Sequence, residues 1–359
     1  MVQTMSFVRV LAALCLLLGC VMLPLSPAQA TPRDENPLAG HPWGVYQGNA
    51  EMAWAPYVAA EGRTKKLLGK IALRPKAKWF GNWISNDDIA GKVHDYIENA
   101  TGGDPDVMVH MTLIRMNPWE QDACARLPTK AEKAGYKQYV RRFARAVGDT
   151  HAAIVLQPDG PFALCAPGGS RAHSKLIAYT AERLSRLAHA TTYIEAGTAE
   201  WNGYDPQRAV KLLVRGGVEH VRGFTFNVTH YESTASQVEF GAEVVRALAG
   251  RGIPGKHFVV DTAENGRPFT GKWWRANNDG ERWDNAATCQ TRRQKRCVTL
   301  GIPPTTRVAR EAWGLSDRVE RLARRYVDAY LWAGRPWLHN QTAPFSMQRA
   351  LDVARTTPY

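Results

Sequence analysis

Short apolar runs alternate with longer amphipathic stretches along most of this chain. The runs cover residues 107–116, 152–156, 192–194, 224–228, 257–260 and 327–332. They are nearly continuous in apolar residues, which suits strands buried on both faces. Between them, residues 129–147, 170–188, 205–215, 233–249 and 307–325 carry helical periodicity. Strand–helix alternation at this spacing predicts a mostly parallel sheet with crossover helices. Residues 31–45 contain Pro and Gly and read as an irregular leader, but no linker, repeat or low-complexity segment follows. The expected architecture is therefore one α/β domain over residues 31–359, with a (β/α) barrel favoured over an open sheet by its length.

Each of four consecutive runs ends in a polar residue: Asp159, Glu195, Asn227 and Asp261. In a parallel barrel these ends share the face where active sites form. Carboxylates converging there supply an acid and a base. Any one of them could equally cap the following helix, but four in succession favour a site. No His pair stands at ligand spacing, so no metal and no other cofactor is expected.

The N-terminus sets the compartment. Residues 1–30 carry one charged side chain, Arg9, then an apolar run, then Ala28-Gln29-Ala30. This is the pattern of a secretory signal peptide cut after Ala30. Leu17-Leu18-Gly19-Cys20 also resembles a lipobox, which makes a lipoprotein anchored through Cys20 the alternative. No later segment approaches membrane length, so stable insertion is not expected. Four cysteines lie beyond Ala30: Cys124, Cys165, Cys289 and Cys297. An even number in an exported chain suggests disulfides. Cys289 and Cys297 are close enough to close a small loop, which leaves Cys124 with Cys165. A zinc site does not fit these spacings.

The formal charge is +13, but the basic residues are scattered, so they read as a soluble surface and not as a nucleic-acid footprint. Among the 12 tryptophans, Trp119, Trp201, Trp273, Trp274, Trp283 and Trp337 fall near expected loops, and about half should be core. Indoles stack on the C–H faces of sugars. Carboxylates and tryptophans on a secreted barrel point to a carbohydrate hydrolase.

Four segments carry a more specific signal: Ala153-Ile154-Val155-Leu156-Gln157-Pro158-Asp159, Thr192-Tyr193-Ile194-Glu195-Ala196-Gly197-Thr198-Ala199-Glu200-Trp201, Gly223-Phe224-Thr225-Phe226-Asn227-Val228, and Phe258-Val259-Val260-Asp261-Thr262-Ala263-Glu264-Asn265-Gly266. In this order they resemble the strand motifs of family 6 glycoside hydrolases, over about residues 36–359. The resemblance implies a distorted parallel (β/α) barrel and hydrolysis of β-1,4-glucan in cellulose-like polymers with inversion. It implies that Asp159 is the general acid, that Asp122, offset by one residue from the family's Asp before Cys124, assists it through a water relay, with Glu195 and Asp261 as other candidates to take the water's proton, and that Cys124 pairs with Cys165. It makes Glu195, Trp201, Asn227, Asp261, Trp337 and Asn340 candidates for binding a polysaccharide, on a chain expected to be monomeric. The chain also departs from the family's W-V-K-x-P-G-E-S-D-G stretch, reading Trp332-Ala333-Gly334-Arg335-Pro336-Trp337-Leu338-His339-Asn340. Asn340 falls where the family's candidate base Asp stands, the Lys and Glu are absent, and Glu264 replaces an Arg. These departures motivate two rival readings: a catalytically weak glucan- or cell-wall-binding protein, and a barrel hydrolase for another glycan.

Overall fold

The computed structural model describes residues 35–115, 124–278 and 282–359. Residues 36–359 form one compact unit. The strands are β1 (Lys78–Gly81), β2 (Val109–Ile114), β3 (Ala152–Leu156), β4 (Ala190–Glu195), β5 (Gly223–Phe226), β6 (His257–Asp261) and β7 (Val327–Leu331). They pair in sequence order, and every pair is parallel. The sheet curls: Ala77 N–H, just before β1, donates to the Trp332 carbonyl just after β7 at 2.8 Å. This is the distorted barrel that the strand–helix alternation implies.

Side chains alternate across the sheet with period 2. On β3, Ala153 and Val155 face the barrel interior with Tyr193, Val259, Ala329 and Leu331. Ala152, Ile154 and Leu156 face the helix layer instead. Both faces are buried, so β2 and β3 read as unbroken apolar runs.

The helices are α1 (Trp54–Ala59), α2 (Gly62–Ala72), α3 (Ile89–Thr101), α4 (Lys130–Val147), α5 (Ala172–Leu184), α6 (Pro206–Arg215), α7 (Thr234–Ala249), α8 (Gly271–Asn277), α9 (Asp317–Tyr326) and α10 (Met347–Thr356). Their starts follow local chemistry. Thr129 and Glu132 form a capping box at α4. Asp205 caps α6, with Pro206 at its first position. Ser233 caps α7.

Several elements differ from expectation. The helix expected over 307–325 begins only at Asp317, because Gly314 turns into the left-handed region (φ 64°) and Ser316 then caps the helix. Strand β1 and helix α3 were not anticipated, since a four-residue strand leaves too little pattern to read. A small antiparallel hairpin, β8 (Leu338–His339) with β9 (Thr342–Phe345), follows β7.

Both expected disulfides are present, Cys124–Cys165 and Cys289–Cys297. Among the described residues no helix is long and apolar enough to cross a membrane.

Candidate active site

Ile114 at the end of β2 and residues that follow β3, β4, β5, β6 and β7 help surround a cleft of about 960 Å³. Its lining includes Ile114, Asp159, Thr198, Trp201, His230, Glu232, Arg335 and Asn340. A parallel sheet delivers all these strand ends to one side.

Asp159 lines the cleft just after β3. The chain leaves β3 through Gln157 (φ 56°) and Asp159 (φ 62°), both left-handed. Such conformations in non-glycine residues cost energy and cluster at functional sites. Glu195 holds them there. Its Oε2 accepts the Gly160 N–H at 3.0 Å and its Oε1 accepts the Gly197 N–H at 2.5 Å. The Asp159 backbone N–H also bonds to this carboxylate. Gly160 has no room for a side chain, since a Cβ would stand 2.2 Å from the Glu195 carbonyl oxygen. Burial pushes the Glu195 carboxyl up to about 8, while the three N–H donors pull it back.

Glu195 is only 1% exposed and does not line the cleft. The structure therefore places it behind the cleft wall, bonded to the loop after β3 and the loop after β4. Asn227 and Asp261 are also withdrawn. The Asn227 amide donates to the Glu232 and Asp261 carbonyls at 3.2 and 3.1 Å, and its oxygen accepts the Glu232 N–H. Asp261 accepts from the Ala263, Gly334 and Thr229 N–H groups at 2.9, 2.6 and 3.4 Å. Burial raises its carboxyl to about 6. Neither residue lines the cleft. The physical reason is shared: each oxygen at these strand ends is taken by a loop N–H that would otherwise be buried without a partner.

The other candidates do reach the cleft. Trp201 packs against His230, ring centroids 5.4 Å apart, and against Phe162 at 5.1 Å. Trp337 lines the floor beneath the Lys76 ammonium. Asn340 and Gln341 are the two central residues of the β8–β9 hairpin, with φ of 47° and 61°. Positive φ at both positions is the geometry of a tight type I′ connection, which Asn tolerates well. The Asn340 Oδ1 is buried and meets no donor among the described residues. Asp122 and Trp119 lie outside the described residues. Trp283 lines the cleft, whereas Trp273 and Trp274 pack against the apolar cluster beside it.

Several lining groups escaped the sequence reading. Glu232 accepts from the Glu200 N–H at 3.2 Å and the Gln237 amide at 2.9 Å, and burial raises its carboxyl. Trp79 and the 61%-exposed Trp83 add aromatic surface from β1 and the turn after it. Their one signal was the Lys78-Trp79-Phe80-Gly81-Asn82-Trp83 run itself.

The comparisons with known proteins agree with this geometry. The family model described as "Glycosyl hydrolases family 6" matches residues 43–336. Endoglucanase 1 of Streptomyces halstedii is 29% identical over 279 residues, which cover 76% of this chain and 82% of the relative. Endoglucanase A of Cellulomonas fimi is 29% identical over 230 residues, covering 64% of this chain, and the match spans about half (48%) of that relative's length. The solved endoglucanase Cel6 of Mycobacterium tuberculosis, in complex with methyl-cellobiosyl-4-deoxy-4-thio-β-D-cellobioside, superposes with a TM-score of 0.69 at 24% identity, covering 90% of this chain and 99% of that one. Cellobiohydrolase II of Humicola insolens superposes with a TM-score of 0.65 at 17% identity. With more than half of its length matched and its strand motifs in family order, the chain belongs to family 6 of the glycosyl hydrolases.

Proposed function

We propose that this chain is exported and hydrolyses β-1,4-glucosidic bonds of cellulose-like glucans with inversion, using Asp159 as general acid. One observation carries the reading: Asp159 is held by Glu195 at the end of β3, inside a cleft lined by Trp79, Trp83, Trp201 and Trp283. Endoglucanase relatives support the substrate class.

In this mechanism the glucan lies along the tryptophans, and Asp159 gives its proton to the glycosidic oxygen as the bond to the anomeric carbon breaks. Water attacks that carbon from the opposite face and its proton passes to Asp122. Inverting hydrolases keep such carboxyl groups roughly 6.5–9.5 Å apart, which leaves room for the water. The amide of Asn340 cannot take the proton.

Export follows from the signal pattern over residues 1–30, with cleavage after Ala30. Two disulfides support an oxidising compartment. Mass analysis of the released protein tests the cleavage, and acylation at Cys20 would instead identify a lipoprotein.

The enzymatic test is reducing-sugar release from soluble carboxymethyl-cellulose, with Asp159→Asn and Asp122→Asn alongside. General acid catalysis contributes about 10²–10⁴-fold, so Asp159→Asn should lose at least about 100-fold in kcat. An unchanged rate in that variant would reject Asp159 as the acid. Binding with no release by the unsubstituted chain would favour the glucan-binding alternative, which the Asn340 substitution motivates.

A further inference from the structure

We propose that the part of the cleft built by β1 and the segment after β7 is a subsite for an anionic sugar, one whose glucosyl unit carries a carboxylate or a phosphate. The inference rests on the reading of the cleft as a glycan site and adds the charge of the glycan.

The lining charges there are unbalanced. Arg74, Lys76, Lys78 and Arg335 stand with one carboxylate, Glu51. Two of the cations have structural partners. The Lys76 ammonium donates to the Ile71 and Arg74 carbonyls at 2.7 and 3.0 Å, and Glu51 is 3.8 Å away. The Lys78 ammonium donates to the Ala50 carbonyl at 3.0 Å. Arg335 is different. Its guanidinium lies over the Trp79 ring, 4.7 Å from the centroid. Its Nε is buried and meets no acceptor among the described residues.

A buried donor without a partner costs about 1–3 kcal/mol, and a charged one more. Like charges gathered in a partly desolvated wall add to this. Burial, with Arg335 nearby, holds the Lys78 ammonium below its usual range. A neutral glucan brings hydroxyls and leaves the charge excess in place. A carboxylate or phosphate neutralises it and gives the Arg335 fork the planar, charge-assisted hydrogen bonds it is shaped to make. The rest of the lining has the reverse balance, with Asp159, Glu200, Glu232 and Asp284 against Arg275. An anionic sugar is therefore drawn to Arg335 and away from the acidic end of the cleft around Glu200 and Asp284, which sets its place along the cleft.

The test is titration calorimetry on the full chain carrying Asp159→Asn, with three ligands: cellotetraose, the tetramer with one C6 carboxylate, and the tetramer with one C6 phosphate. At low ionic strength at least one anionic tetramer should bind about tenfold more tightly than cellotetraose, and which one does identifies the anion. The preference should shrink as salt is added. Arg335→Gln and Lys78→Gln should each reduce the ratio of anionic to neutral affinity. Anionic tetramers that bind no better than cellotetraose, or do not bind, overturn the proposal, as does a ratio that neither substitution changes. A chain that fails to hydrolyse any glucan yet keeps the anionic preference defeats the hydrolase reading and leaves this one standing. Hydrolysis of neutral glucan without the preference does the opposite.

Discussion

Glu195 is buried and bonds to loop backbone instead of lining the cleft. Three backbone N–H groups, of Asp159, Gly160 and Gly197, converge on its carboxylate. Removing it in Glu195→Ala leaves those donors buried and unpaired, at about 1–3 kcal/mol each. The expected loss in chemical denaturation is about 3 kcal/mol or more, and kcat should fall further than KM rises, because Asp159 moves while the tryptophans stay. A second residue-level effect couples two departures from the family pattern. A Cβ on Gly334 would stand 2.0 Å from Glu264 Oε1, so the Glu264 carboxyl occupies the space beside Gly334. Gln341 pins that carboxyl with hydrogen bonds of 2.7 and 2.8 Å. Gly334→Ala should therefore cost about 1–3 kcal/mol by overpacking, and less in a Glu264→Ala background. The residues of this site were legible as a set of strand-end polar groups. Which of them faces the cleft was not, because sequence does not say whether a carboxylate points at a ligand or back at its own loop.

At the scale of elements, the strands and their crossover helices were readable because burial on both faces leaves unbroken apolar runs, as on β2 and β3. Helix starts were readable where a cap exists, as at Thr129 and Asp205. The β8–β9 hairpin was not readable, since its two-residue turn uses Asn340 and Gln341 in place of a glycine. The disulfides permit an element-level prediction. Cys124–Cys165 closes a separation of 41 residues and Cys289–Cys297 one of 8. On the chain-entropy account, the longer loop gives more stabilisation, by about 1.5 kcal/mol. The double Ser variant of the first pair should thus melt below that of the second. The reverse order would mean that native contacts, not chain entropy, set the difference.

The whole molecule adds a dependence on pH. His110 is buried, edge-on to Trp43 at 4.4 Å, and neither ring nitrogen has a partner among the described residues. Burial lowers it to about 3. The folded state therefore refuses a proton that the unfolded chain accepts below its ordinary value near 6.5. Its contribution is constant above about pH 6.5 and is lost as pH falls towards 3, by up to about 1.4 kcal/mol per pH unit. Glu195 and Asp261 act in the other direction. Raised to about 8 and about 6, they contribute stability that is present at low pH and lost as pH rises through those values. Comparing the unsubstituted chain with His110→Leu cancels the carboxylates. The variant should gain relative stability as pH drops below about 6.5, and parallel curves would reject the assignment.

What the sequence by itself determined is whatever depends on local pattern: apolar runs that must be strands, capped amphipathic helices, cysteines near enough to pair, and a run of polar strand ends. What only the tertiary structure decided is direction and company. Parallel closure brought β1 beside the end of β7, and with it Lys78 and Trp79 beside Arg335. It also turned Glu195, Asn227 and Asp261 inward, where loop N–H groups take their oxygens. Buried backbone groups must be paired, and only the closed fold shows which side chains do the pairing.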